Sequence, residues 1–485
     1  MNLVLALGAW PVTMQDQTLQ KLLIVALLLA AVAVLAFVTL LPGVRAPDEP
    51  AREAAGPAAS ARLPANEAPA ASAAAASAAP ALRYDTEYPS IRYAATPPAD
   101  AIARLEDRIA SAEITLGADP ERGYLEALLA ALDIGAESQV LVFSRTSVQV
   151  QSITAATPRA IYFDDDTYVA WMPDAGNIEI ASMDPRLGPV FYTLSQDPSA
   201  PPEFERQLGQ CLRCHDSYSL TGGGVPRFIT GSGYTDTRGN LVAHEGWILT
   251  SDRTPLRSRW GGWYVSGYHG EQIHLGNIAV REAAELERLE ELRTGNLENL
   301  DSLLDTSRYL TNYSDIVALL VLEHQVRVQN AIVRASYDVR TALDGAGEQA
   351  GPELAARVAE LTEPLVEALF LAGEAPLTDE IRGTSGFAAA FEARGPRDTR
   401  GRSLRDLNLR TRLFEYPLSY VIYSRAFDAL PGPAKERAYA RIREILSGTD
   451  TTEPFARLTA EDRAAILEIL RATKADFAAA LENGV

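Results

Sequence analysis

The sequence predicts an α+β protein: a region of short strands, an irregular middle segment and a helical C-terminal region, preceded by one transmembrane helix. Three observations predict it. Short β-branched and aromatic runs separated by Asp, Gly and Pro turns fill residues 139–194. Long stretches with helical spacing follow residue 281. A twenty-residue uncharged apolar run lies near the N-terminus. With 47% hydrophobic residues, the 485-residue chain has ample apolar material for a core.

Residues 1–20 read as a short cytoplasmic lead. Leu22 to Leu41 is LLIVALLLAAVAVLAFVTLL, long enough as a helix to cover roughly 30 Å of hydrocarbon, which predicts an anchor over residues 21–42. A cleaved signal peptide would carry a shorter apolar region ending at a small-x-small site. Here Pro42-Gly43-Val44-Arg45 follows instead. Residues 43–83 are Ala- and Pro-rich and lack the large apolar groups that offset ordering entropy, so they predict a disordered tether.

Residues 84–205 are expected to form an α/β region. Helical spacing covers Asp100 to Leu116 and Tyr124 to Leu132. Strands are expected at Gln139–Phe143, Val148–Ile153, Ala160–Phe163, Tyr168–Met172, Ile178–Ala181 and Val190–Leu194. Residues 206–280 form the irregular segment. Residues 281–485 are expected to be helical, with helices at Asp315–Leu343, Glu353–Leu371, Pro433–Leu446 and Ala460–Leu481.

A net charge of -20 argues against sequence-independent binding of nucleic acid, which needs clustered cations facing phosphate. An acidic surface can instead steer a basic redox partner. Two cysteines allow at most one internal disulfide and exclude a multi-cysteine metal cluster. Their placement is more informative than their number.

Cys211-Leu212-Arg213-Cys214-His215 sets two thiols three residues apart with a histidine directly after. That spacing lets both sulfurs add to the vinyl groups of one haem while the imidazole reaches the iron. A CxxC redox pair does not need the histidine, and structural zinc would need further cysteines. One covalent haem c is therefore expected, held by Cys211 and Cys214 with His215 as the proximal ligand.

The four methionines, Met1, Met14, Met172 and Met183, all precede the motif, so no downstream methionine can take the distal position. His269 and His274, in the aromatic and glycine-rich stretch from Arg259 to Asn277, and His324, inside the helix from Asp315, are the alternative distal candidates. Arg227 and Arg259 are possible partners for the haem propionates, since a guanidinium fork suits a carboxylate. The Thr221-Gly222-Gly223-Gly224 run is expected to fold round the haem edge.

The motif is similar to that of c-type cytochromes, whose haem is attached outside the cytoplasmic membrane. That resemblance implies a bacterial inner-membrane protein with the bulk of its chain in the periplasm. The chain from about residue 135 onward also resembles an uncharacterised group of secreted bacterial monohaem cytochromes. Gln139-VLVFSRTSVQ, Asp184-PRLGPVFYTL, Arg259-WGGWY, Asp315-IVALLVLEHQ and Ser403-LRDLNLRTRLFEYPLSYVIYS carry it. It implies a single integrated unit. Two functions are open: electron transfer with a redox partner protein, or an enzyme that works on a small oxidant (peroxide, oxygen or a nitrogen oxide) at an open distal site. A haem-based sensor is a third, for which no signalling domain is visible.

Overall fold

A computed structural model describes residues 86–485, apart from 198, 243–245, 282–284, 286–287, 347–350 and 483–485. The expected anchor and tether lie outside the described residues. The described chain is mixed α and β.

Six antiparallel strands form a meander in sequence order: β1 (Val140–Val142), β2 (Arg159–Phe163), β3 (Thr167–Trp171), β4 (Asn177–Asp184), β5 (Gly188–Ser195) and β6 (Phe204–Arg206). Direct cross-strand pairing of Tyr162 with Val169, Val169 with Ile180, and Ile180 with Tyr192 makes one buried face. Against it pack helices α1 (Ala101–Ala110) and α2 (Leu125–Leu132). The Tyr192 hydroxyl donates to Asp100 at 2.7 Å, and Asp100 caps α1 by accepting from the N–H groups of Ile102 and Ala103.

The opposite face divides in two. Phe163, Tyr168 and Phe191 are buried, whereas Ile161, Ala170, Glu179, Ala181 and Thr193 are half-covered. The buried part lies under the long helix Ile316–Ala346. There the Tyr168 hydroxyl donates to Gln329 at 2.6 Å and accepts from Gln325 at 2.7 Å. Gly188 begins β5 at φ +74°, and a Cβ there would lie 2.7 Å from Val333 of that helix, so only glycine allows this approach.

The Ile316–Ala346 helix meets the length and apolarity of a membrane span, but most of its apolar stretch is buried inside the fold. It is a core helix. Asp315, itself wholly buried, caps it by accepting from Val317 N at 2.8 Å and also accepts from Thr384 N and Ser385 N. Pro352–Leu369 and Gly432–Leu446 pack with it, and a single apolar cluster runs from Ile91 to Phe477 through sheet and helices alike. The strand region and the helical region share that cluster.

Three expectations need correction. Val148–Ile153 is not a strand: Ser147 and Gln149 turn their side chains onto Glu179, and Val150–Ser152 forms a 3₁₀ turn. Ala460–Leu481 is two helices, Ala460–Thr473 and Ala475–Glu482, parted at Lys474, whose ammonium bonds Asp428 at 2.6 Å. Much of 374–424 is irregular rather than helical.

Candidate haem site

The motif occupies one short helical turn, Leu212–His215, closed by bonds from Cys214 N and His215 N to the Cys211 carbonyl. Positions three apart lie on the same side of such a turn, so both sulfurs share a face. Both cysteines are free thiols, Cys211 half-buried and Cys214 exposed. Burial, with Glu179 and Cys214 nearby, pushes the Cys211 thiol up to about 11.

His215 is held by the strand-like segment that returns beside it. Its Nδ1 lies 2.6 Å from the carbonyl oxygen of Arg227, and Arg227 N donates back to the His215 carbonyl at 2.9 Å. Opposite an oxygen that can only accept, Nδ1 must carry the proton, which leaves the lone pair on Nε2. This is the tautomer of a metal-binding imidazole whose other nitrogen is fixed by a carbonyl. Burial lowers the pKa of His215 to about 4, so the ring is neutral and able to ligate at neutral pH.

The surroundings fit a haem. The Phe191 ring lies 4.4 Å from His215, and Phe191 pairs directly with Ala181 on β4. Next to that row is the half-covered sheet surface of Ile161, Ala170, Glu179 and Thr193. Tyr218 and Leu208 flank the motif with 71% and 40% of their surfaces exposed, apolar surface that a porphyrin edge would cover. The three glycines after the motif, Gly222, Gly223 and Gly224, all have φ between +70° and +79°. A Cβ on Gly223 would fall 2.3 Å from the Tyr218 ring, so this turn requires glycine.

Other expected site residues lie elsewhere. Arg259 is not a propionate partner: it is buried, with its guanidinium given to Glu323 at 3.1 Å and to the carbonyls of Thr254 and Asp252. His324 is likewise committed to the core. Its Nδ1 meets Asp252 at 2.6 Å and its Nε2 meets Ser419 at 2.8 Å, with Arg327 on the other Asp252 oxygen at 2.7 Å. Neither nitrogen of His324 is open to iron. The Asp–His–Ser order is that of a nucleophilic triad, but His324 and Ser419 have no accessible surface, so substrate cannot reach the hydroxyl. The arrangement ties the core helix to two loops, and no local motif in the sequence announces it.

His269 and His274 pack edge to face at 4.7 Å, with Trp260 beside His274 at 5.5 Å. His269 Nδ1 lies 2.5 Å from the Gln272 carbonyl, and its buried Nε2 has no hydrogen-bond partner. His274 instead accepts from Gly276 N at its Nδ1. These partners and those of His215 share no residue. In the stretch from Arg259 to Asn277, Trp260, Trp263, Tyr264 and Val265 belong to the main apolar core, and Trp260 and Asn277 take φ of +69° and +70°. Sequence reasoning missed Arg159 and Glu179, an ion pair at 3.3 Å on the sheet beside the motif. Alternation in β2 and β4 was the signal that could have found them.

No protein-family model, no curated protein and no solved structure matches this chain.

Proposed function

We propose that this chain is a membrane-anchored monohaem c-type cytochrome that passes single electrons to or from a redox partner protein in the periplasm. One observation supports it above all others: two free thiols on one helical turn stand beside a neutral histidine whose Nδ1 is fixed to a backbone carbonyl and whose Nε2 carries the lone pair. When bound, haem supplies a one-electron couple. The chain's own residues attach it, orient it and set its access. Cys211 and Cys214 would hold the group covalently, and His215 would offer its Nε2 lone pair to the metal. Asn330 on the core helix bonds both backbone groups of Phe228 at 2.9 Å, which holds the neighbouring Arg227 carbonyl against His215 Nδ1.

The exposure of Arg213, Cys214 and Tyr218 puts the attachment edge at the surface, where a partner can approach without opening the fold. Interfaces for such transfer are small and short-lived. The acidic charge of the chain favours a basic partner. The uncharged run at residues 22–41 supports the anchor, and the attachment chemistry supports the periplasmic side.

A second reading has one observation in its favour. His324 is bonded at both nitrogens and offers no lone pair to a metal, which favours a site that would stay open to a small ligand. That reading is a haem enzyme acting on a small oxidant. Purified full-length protein decides between them. Covalent haem that survives denaturation and is lost in C211A/C214A supports a c-type cytochrome, and its absence from the unmodified protein refutes it. A reduced form that takes up carbon monoxide moves the balance to the enzyme.

A further inference from the structure

The half-covered sheet face beside the motif carries a charge pair that the attachment chemistry does not use. Arg159 and Glu179 meet at 3.3 Å, with side chains only 13% and 16% exposed. Glu179 is braced from the loop above it: Ser147 Oγ donates at 2.5 Å and Gln149 Nε2 at 3.1 Å. Arg159 keeps Nε buried without a protein partner.

Sheet register places this pair next to the iron ligand. Glu179 precedes Ala181 by two residues on β4 and points to the same side, and Ala181 is paired with Phe191, which packs on His215. Two residues of strand span roughly 7 Å. The two charges act on the His215 ring with opposite sign, Arg159 disfavouring and Glu179 favouring a positive charge there.

Resting on the haem reading above, we propose that Arg159 and Glu179 each shift the reduction potential of the haem site, in opposite directions, so that the intact pair holds it close to the value the site would have with neither charge. The couple is a one-electron step in which a reductant gives up an electron and the iron centre gains it, without a proton. The oxidised form carries one more positive charge, so a nearby carboxylate stabilises it and a nearby guanidinium stabilises the reduced form. Charges this close in a partly desolvated site are only weakly screened.

The test is redox titration of the full-length holoprotein at pH 8, with folding checked by near-ultraviolet circular dichroism. Glu179→Gln should raise the midpoint and Arg159→Gln should lower it. Each shift should be on the order of tenfold in the oxidised-to-reduced ratio at fixed potential, about 59 mV for one electron. R159Q/E179Q, which leaves no charge unpaired, should return to within twofold of the unmodified protein. It also keeps the proposal testable if a single variant folds poorly, because a double variant that departs far from the unmodified midpoint overturns it. Single variants that shift in the same direction, or not at all, overturn it too. Loss of the haem reading would be seen separately, as unmodified protein without covalent haem.

Discussion

Asn330 holds Phe228 by both of its backbone groups, donating to the carbonyl and accepting from the N–H at 2.9 Å each. The residue before Phe228 is the one whose carbonyl fixes His215, so a side chain on the core helix governs the aim of the proposed haem ligand from two steps away. Asn330→Ala should cost about 1–3 kcal/mol in urea unfolding, because it strands two backbone groups. It should also broaden the ferric haem resonance of the holoprotein, while covalent haem content stays unchanged. An unaltered resonance would show that Arg227 is held by other means.

Asp252 carries a second prediction. Burial alone would raise its pKa, but Arg327 and His324 outweigh that and hold it at about 2. With the folded value depressed below the ordinary 3.8, its contribution to stability is present above pH 3.8 and is lost as pH falls to about 2. The amount is on the order of 2 kcal/mol. Asp252→Asn should remove that acid-sensitive step and, at neutral pH, cost about 3–5 kcal/mol for breaking a buried pair. Chemical denaturation followed across pH 2–7 reads both.

Arg259 and Glu323 separate a core role from a haem role. Arg259→Met should destabilise by about 3–5 kcal/mol because Glu323 is left charged and buried, whereas R259M/E323L should recover most of the loss. Haem per folded molecule should be the same in all three proteins. A fall in haem content with stability intact would restore Arg259 as a propionate partner.

His274 gives an acid dependence of a different origin. Burial, then the nearby His269 and Arg293, depress its pKa to about 3 from the ordinary 6.5. The unfolded chain therefore takes up a proton first, and stability declines as pH falls from about 6.5 towards 3. In His274→Gln that decline should be shallower over the same window. An identical slope would mean that the ring is solvated in solution.

Legibility in the sequence followed the range of the interaction. The core helix was readable to within a few residues because Asp315 caps it and its apolar run is continuous. That Cys211, Cys214 and His215 share one turn was readable because they lie within five residues. Val148 to Ile153 alternates like a strand, yet Ser147 and Gln149 are drawn off by Glu179, thirty residues away in sequence. Arg259 looked like an anion ligand until Glu323 was seen beside it. Asp252, His324 and Ser419 meet only through the fold, and the Arg159–Glu179 pair only through strand register.

Gln325 and Gln329 grip Tyr168 from a helix that begins about 150 residues later in the chain. As the chain is synthesised, the sheet therefore emerges long before the surface that covers it. Until Ile316 and its successors arrive, the part of the sheet face round Phe163 and Tyr168 lacks the helix that covers it. Such an intermediate is prone to associate with its own kind. The proposed haem ligand shares this delay, since Asn330, whose hold on Phe228 positions the Arg227 carbonyl beside His215, lies on that same late helix.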